Sequence, residues 1–336
     1  LKSFYFTIFE AVKDTKSRGS SYCKYFYKVK VYNGLGEFRK LENAIVTTGT
    51  FDGVHQGHQK ILNRLIEVAK KNNGESVLLT FFPHPRMVLQ PDSDLKLINT
   101  IEEKIELLRE VGIDHLIIHP FTKEFSRTTS LEFVRDLLVN KIGTTKLVIG
   151  YDHHFGRNRE GSFEHLKEFG PIYGFEVEEI TVQDVDDVNV SSTKVRIALE
   201  EGQVDVAANY LGHSFFIQGV VVHGQKIGRE LGFPTANVQI QNPYKLIPAN
   251  GIYAVRIKIA DSLYKGMLNI GTRPTIENSQ EVTVEVNLFD FSGDLYGKQV
   301  TVLFIKRIRD EKKFKNKEAL IEEMQKDKVR AHNILR

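Results

Sequence analysis

Two imidazoles, His55 and His58, stand three residues apart in Gly49-Thr50-Phe51-Asp52-Gly53-Val54-His55-Gln56-Gly57-His58. The glycines let a backbone turn tightly and come close to a ligand, and the amphipathic stretch from Gln59 to Lys71 supplies a helix N-terminus. At that spacing in an opening helical turn, both rings can face one bound polyphosphate. An apolar β-branched run, Ala44 to Thr48, comes directly before. A strand, a glycine-rich turn and a helix in this order predict a phosphate site lined by Gly49, Thr50, Phe51 and Gly53. Zinc is the competing use of the imidazoles. Eight of the eleven histidines precede residue 190, and His84, His153 and His154 could join the pair, but no known zinc spacing supplies a third ligand.

Three further segments carry groups suited to the same ligand class. Thr80 to Arg86 contains Pro83-His84-Pro85, a stiff loop that presents aromatic and cationic groups beyond a predicted strand. Gly150 to Gly161 holds Asp152, Phe155, Arg157 and Arg159, which could wrap a planar ring and a phosphate, or simply form a surface loop. In Ser191-Ser192-Thr193-Lys194-Val195-Arg196, hydroxyls at a helix start and nearby cations suit phosphate oxygens, whereas an ordinary N-cap accounts for the serines alone.

A second set lies downstream. Residues 224–237 place Gly224, Gly228 and Gly232 ahead of Pro234, Thr235 and Asn237. Spaced glycines alone fit a hairpin loop equally well. The Thr235 hydroxyl and Asn237 carbonyl, two residues apart, are hard oxygen ligands suited to Mg²⁺ beside phosphates. Further on, Thr283, Glu285 and Asn287 alternate on one strand face, where the glutamate could also be a plain exposed charge.

Two kinds of element must position these groups. From Lys30 to about Glu201, apolar runs (44–48, 76–81, 115–119, 146–150, 175–180) alternate with helical patterns (59–71, 100–111, 130–139), the signature of a doubly wound α/β domain. Ligands in such sheets bind beyond the carboxyl ends of the strands. After Gly202 come strand patterns at 215–223, 251–259, 264–270, 281–289 and 299–306, then a helix at 316–326, which read as a small β-barrel with a terminal helix. The expected division is a leader at 1–28, an α/β domain at 29–201 and a barrel domain at 202–336.

A chain of 336 residues with 41% hydrophobic and 26% charged residues has the composition of a soluble globular protein, without a membrane span. Its net charge of +3 argues against a nucleic-acid partner. Cys23 is the sole cysteine, so no internal disulfide or thiolate metal site forms, and a reducing cytoplasm is the expected home. Residues 1–28, rich in aromatics and lysines, lack the uninterrupted apolar segment of an export signal. They read as a disordered leader or as residues upstream of the natural start.

Taken together, GTFDGVHQGH at 49, FFPHP at 81, GYDHHFGRNREG at 150 and SSTKVR at 191 resemble the adenylyltransferase domain of bacterial bifunctional riboflavin kinase/FAD synthetases. GQKIGRELGFPTAN at 224, GIYAV at 251, NIGTRPT at 269 and VEVNLFDF at 284 resemble the riboflavin kinase module of that family. The resemblance implies a Rossmann-like nucleotidyltransferase domain followed by a kinase-type barrel, making FMN from riboflavin and ATP and then FAD from FMN and ATP. It assigns His55, His58 and Arg196 to the triphosphate and its developing charge, helped by Ser191, Ser192 and Thr193. Asp152 and the Pro83-His84-Pro85 loop would face flavin or its phosphate, alongside Phe155 and Arg157. Glu285 would take the proton of the ribityl hydroxyl, Thr235 and Asn237 would hold Mg²⁺ and nucleotide, and the glycines at 224, 228 and 232 would leave room for phosphates. The family usually carries histidine where this chain has Asn287, which predicts tuning rather than loss of activity. The implied partners are small molecules, a homo-oligomer being compatible with the sequence. A riboflavin kinase with an inactive or differently specific nucleotidyltransferase domain is the alternative among enzymes, and a nucleotide- or RNA-binding module is the alternative of another class.

Overall fold

The computed structural model describes residues 29–181, 190–224, 228, 231–274 and 280–336. The expected leader at 1–28, with Cys23, lies outside the described residues. Contacts divide the chain into two compact units between Ser192 and Thr193.

The first unit is a six-stranded parallel sheet in the order β1-β4-β3-β2-β5-β6, formed by Lys30–Tyr32, Ala44–Thr48, Glu75–Phe82, His115–Pro120, Thr144–Gly150 and Glu176–Ile180. Every residue of β2 is buried, as a strand of apolar and β-branched residues at the centre of a parallel sheet requires. The chain runs outward from β2 through β3 to β4, then returns to place β5 on the other side of β2. That reversal is a topological switch point, and the Gly49–His58 turn and Gly150–Gly161 loop leave the sheet on its two sides.

Helix Gln56–Lys71 starts ahead of the expected Gln59, because His55 serves as the N-cap: its ring Nδ1 accepts the His58 N–H at 3.3 Å. Ile101–Val111 follows a Thr100/Glu103 capping box and stops at Gly112 in the left-handed region, near the expected bounds. The helix expected at 130–139 is instead one α-turn, Ser130–Glu132, leading into a π-helix, Phe133–Ile142. Helix Phe163–Tyr173 was not expected, since Pro171 within it reads as a breaker.

The second unit contains a closed antiparallel barrel in the order β10-β11-β8-β7-β12-β9. Its strands are Phe216–Val222 (β7), Ala236–Gln239 (β8), Gly251–Ile259 (β9), Ser262–Pro274 (β10), Gln280–Leu288 (β11) and Gln299–Arg309 (β12). Strand β8 has no counterpart in the sequence reading, being short and interrupted by polar residues. Helices Ser192–Glu200 and Val204–Leu211 precede the barrel. The Leu199 carbonyl accepts the Ala249 N–H at 3.1 Å, and Arg307 Nη1 donates to the Glu201 carbonyl at 3.3 Å. Helix Ser192–Glu200 therefore goes with the barrel, whereas a junction at 201–202 falls on its far side.

The terminal helix runs over Lys317–Ile334, well past the expected Lys326. Its apolar pattern stops at Asp327-Lys328, which reads as an end. Yet Asp327 is 1% exposed, its carboxylate gripped by Arg309 at 2.7 Å and Arg330 at 3.1 Å. Beside it, Met324, Ala331 and Leu335 pack against Ala254, Met267 and Phe289 of the barrel side. Removing the carboxylate takes the shortest ion-pair partner from a largely covered guanidinium, leaving it Glu323 at 3.7 Å. Asp327→Ala is expected to lower stability by about 3 kcal/mol, read from urea denaturation.

Candidate active sites

The first site is built where β2 ends. Gly49 donates its N–H to the Leu79 carbonyl at 3.1 Å, and a Cβ there would stand 3.0 Å from the Phe51 ring. Phe51, Gly53 and Val54 all have positive φ, a contorted path for two non-glycine residues. Buried anchors hold it. Lys104 Nζ donates to the Thr50 carbonyl at 2.7 Å, and the Asp52 carboxylate accepts the N–H groups of Ile98 and Asn99 at 3.3 and 3.4 Å. Ser192 Oγ donates to the Asp52 carbonyl at 2.9 Å, so one predicted hydroxyl braces the turn directly.

On this frame the His55 and His58 rings stack at 3.6 Å, with Phe51 packed 4.7 Å from His58. His58 Nδ1 is buried without a hydrogen-bond partner. Burial first, then His55 and Lys104, hold the His58 pKa well below the usual histidine range. The predicted pair therefore comes together as stacked rings, with an unsatisfied His58 nitrogen available to a ligand. Burial lowers Lys104 as well, opposed by Asp52. Among the described residues, no group of three or more His, Cys, Asp or Glu side chains is placed to hold a metal, so the zinc alternative gains no third ligand there.

Across the switch point, His153 Nε2 lies 3.1 Å from Thr48 Oγ1, tying the β5 loop to the end of β2. Burial brings His153 down to about 4, aided by His154 and Arg159. Phe155 is 6% exposed and packs 5.6 Å from Phe133 in the core, supporting the loop from beneath, while Tyr151 is 44% exposed. Asp152 is exposed; Arg157 donates its backbone N–H to the Thr128 carbonyl and lies 3.7 Å from Glu160. Pro83, His84 and Pro85 follow β3, where His84 caps the short helix Pro85–Leu89 by accepting the Arg86 N–H at 3.2 Å. Ser191 is exposed, and Thr193 and Arg196 lie on helix Ser192–Glu200, in the second unit.

The second site lies on the barrel wall. Register sets Asn237 of β8 opposite Glu285 of β11, and Glu285 opposite Asn269 of β10. Thr235 leads into β8. The departing residue Asn287 is 6% exposed, and its Nδ2 donates to the Pro234 carbonyl at 2.7 Å. This bond ties the turn carrying Thr235 to the strand carrying Glu285, two residues away. Asn287→Ala would remove this tie between turn and strand.

Two of the glycines pack closely against β8 and the turn that leads into it. A Cβ on Gly224 would overlap the Asn237 amide, and one on Gly228 would press on the Phe233 carbonyl and Thr235 Oγ1. Gly232 has φ +78°, the left-handed region that a turn demands. A cavity of about 290 Å³ opens here, with Thr235, Asn237, Asn269 and Glu285 on one wall and Leu320 and Met324 of the terminal helix on another. Asn269, Lys104 and Asp52 had no assigned role in the sequence reading. Lys104 follows Glu102 and Glu103, and Asp52 lies in a glycine turn, where sequence pattern suggests solvent rather than burial.

A buried imidazole pair at a sheet switch point and, in a barrel, a carboxylate set beside hard oxygen donors are the groups that a nucleotide-dependent transferase needs. A family model described as FAD synthetase matches residues 37–194, and one described as riboflavin kinase matches 211–335. Proteins called bifunctional riboflavin kinase/FMN adenylyltransferase are similar along most of their length: 38% identity in Buchnera aphidicola (subspecies Schizaphis graminum), covering 89% of this chain and 96% of that protein, and 35% in Bacillus subtilis, covering 86% and 91%. A crystal structure titled as a macrolide-efflux protein from Streptococcus pneumoniae has 29% identity and a TM-score of 0.82, covering 91% of this chain and 99% of that one. The chain belongs to the bifunctional riboflavin kinase/FMN adenylyltransferase family. No helix among the described residues is long and apolar enough to cross a membrane.

Proposed function

We propose that this enzyme phosphorylates riboflavin to FMN in the barrel unit and adenylylates FMN to FAD in the α/β unit. The register that sets Asn237, Glu285 and Asn269 side by side along one cavity carries the kinase half. In the first reaction the ribityl 5′-hydroxyl oxygen attacks the γ-phosphorus of ATP, ADP leaves, and Glu285 takes the hydroxyl proton. Such a base needs reach more than an unusual pKa, because the transition state is largely dissociative.

In the second reaction a phosphate oxygen of FMN attacks the α-phosphorus of ATP in line and pyrophosphate leaves. No covalent nucleophile is needed, so catalysis is positioning and charge stabilisation. His55 and His58 hold the triphosphate, Gly49, Thr50, Phe51 and Gly53 supply the turn around it, and the Ser191 and Ser192 hydroxyls act on the same phosphates. Asp152, Arg157 and the Pro83-His84-Pro85 loop serve the flavin side.

Thr235 and Asn237 fit a hard divalent cation: both offer neutral oxygens, in a cradle that a Cβ on either flanking glycine would fill. We assign Mg²⁺, which when bound screens the phosphate oxygens. We assign the cytoplasm as the compartment, and no nucleic-acid or membrane partner. Purified protein supplied with riboflavin, ATP and Mg²⁺ should yield FMN and then FAD by chromatography. Accumulation of FMN alone would sink the adenylyl-transfer half.

A further inference from the structure

Asn269 Oδ1 is buried and has no hydrogen-bond partner. A carbonyl oxygen withdrawn from water without a donor is costly, so a folded site that keeps one is organised around a ligand that supplies the donor. The residue lines the cavity, and its cross-strand neighbours are Glu285 on one side and Ile252 on the other. Neither Ile252 nor Met267, also in the cavity lining, has a side-chain donor to offer.

The order of the row limits what that ligand group can be. Asn237, beside Thr235 on one flank of Glu285, takes the metal and phosphate side. Asn269 stands on the opposite flank. A carboxamide oxygen gains nothing from a phosphate oxygen, since both are acceptors. The alcohol approaching Glu285 from the side away from the metal is a polyol, whose hydroxyls are donors. Building on the function proposed above, we infer that Asn269 is a riboflavin-contacting residue, its side-chain oxygen accepting a hydrogen bond from a hydroxyl of the ribityl chain beside the one that Glu285 deprotonates. The kinase would thereby select flavins that carry the chain by the chain itself.

The probes are riboflavin and lumiflavin, which keeps the ring system and lacks the hydroxylated chain. Asn269→Leu should raise the riboflavin KM about tenfold and the ATP KM less than about twofold, as when a buried partner to a substrate hydroxyl is lost. Asn269→Ser, which restores a small acceptor, should recover most of that loss. By fluorescence titration the wild-type enzyme should bind riboflavin more tightly than lumiflavin, and the leucine variant should narrow the gap.

An unchanged riboflavin KM in Asn269→Leu, or equal weakening of riboflavin and lumiflavin, would overturn the assignment. Should the leucine variant not fold, the serine variant and the wild-type comparison decide: equal affinity of the wild type for both flavins is a refutation. A wild-type enzyme that forms no FMN at all refutes the kinase reading instead, which keeps the two failures apart.

Discussion

Glu285→Gln is expected to abolish FMN formation from riboflavin while leaving FAD formation from supplied FMN untouched. Glutamine keeps the length, the strand register with Asn237 and Asn269, and most of the packing, but cannot take a proton. A positioned general base is worth roughly 10²–10⁴ in rate, so kcat for phosphorylation should fall by about 10³. If Glu285 instead acts only by holding the strand face together, the isosteric amide would be nearly silent. Asn287 gives a contrasting outcome. It does not touch the reacting atoms, and its bond to the Pro234 carbonyl only sets where Thr235 stands. Its loss should therefore appear in the metal-ATP KM, whereas the Glu285 effect should appear in kcat. A coupled assay from riboflavin to FAD would conflate the two units, so each reaction is followed separately.

Legibility in the sequence followed how far a residue's duty is local. Strand β9 has the bounds that its alternating pattern predicts, and β2 follows from one β-branched run, because burial on both faces leaves a plain signature. His55 and His58 were recognisable as a pair from spacing alone. The start of their helix was misplaced, because an imidazole cap is not among the Ser, Thr, Asp and Asn signals. The terminal helix was cut short at Lys326, since Asp327 looks like a solvent residue until Arg309, from a distant strand, is seen to hold it. Lys104 and Asp52 were missed for the same reason. Their burial depends on backbone groups of another segment, and nothing in the local pattern encodes a partner that far along the chain. Asn269 differs again: its strand was expected, but only the cross-strand register shows that it faces Glu285.

His58→Ala should lower FMN adenylylation by about 10²–10³ and leave riboflavin phosphorylation unchanged, the cost of losing one preorganised donor at a developing charge. The structure also specifies which form of the imidazole the free enzyme presents. Burial, with His55 and Lys104 nearby, depresses its pKa well below the ordinary 6.5, so the ring is neutral at physiological pH. In the function proposed above, it would meet the triphosphate as a hydrogen-bond donor rather than a preformed cation. The pH profile of kcat/KM, which reports the free enzyme, should then show no loss from this group as pH rises from about 6.5 to 8.5; a required imidazolium would cost nearly tenfold per unit above its pKa. Stability moves the other way. His58, and His153 at about 4, bind protons less readily folded than unfolded, so their contribution is intact above the unfolded value of 6.5. It is lost as pH falls from there toward 4. Urea midpoints should drop over that acidic range, and replacing His153 with a non-titrating side chain should flatten the slope without restoring adenylylation to the His58 variant.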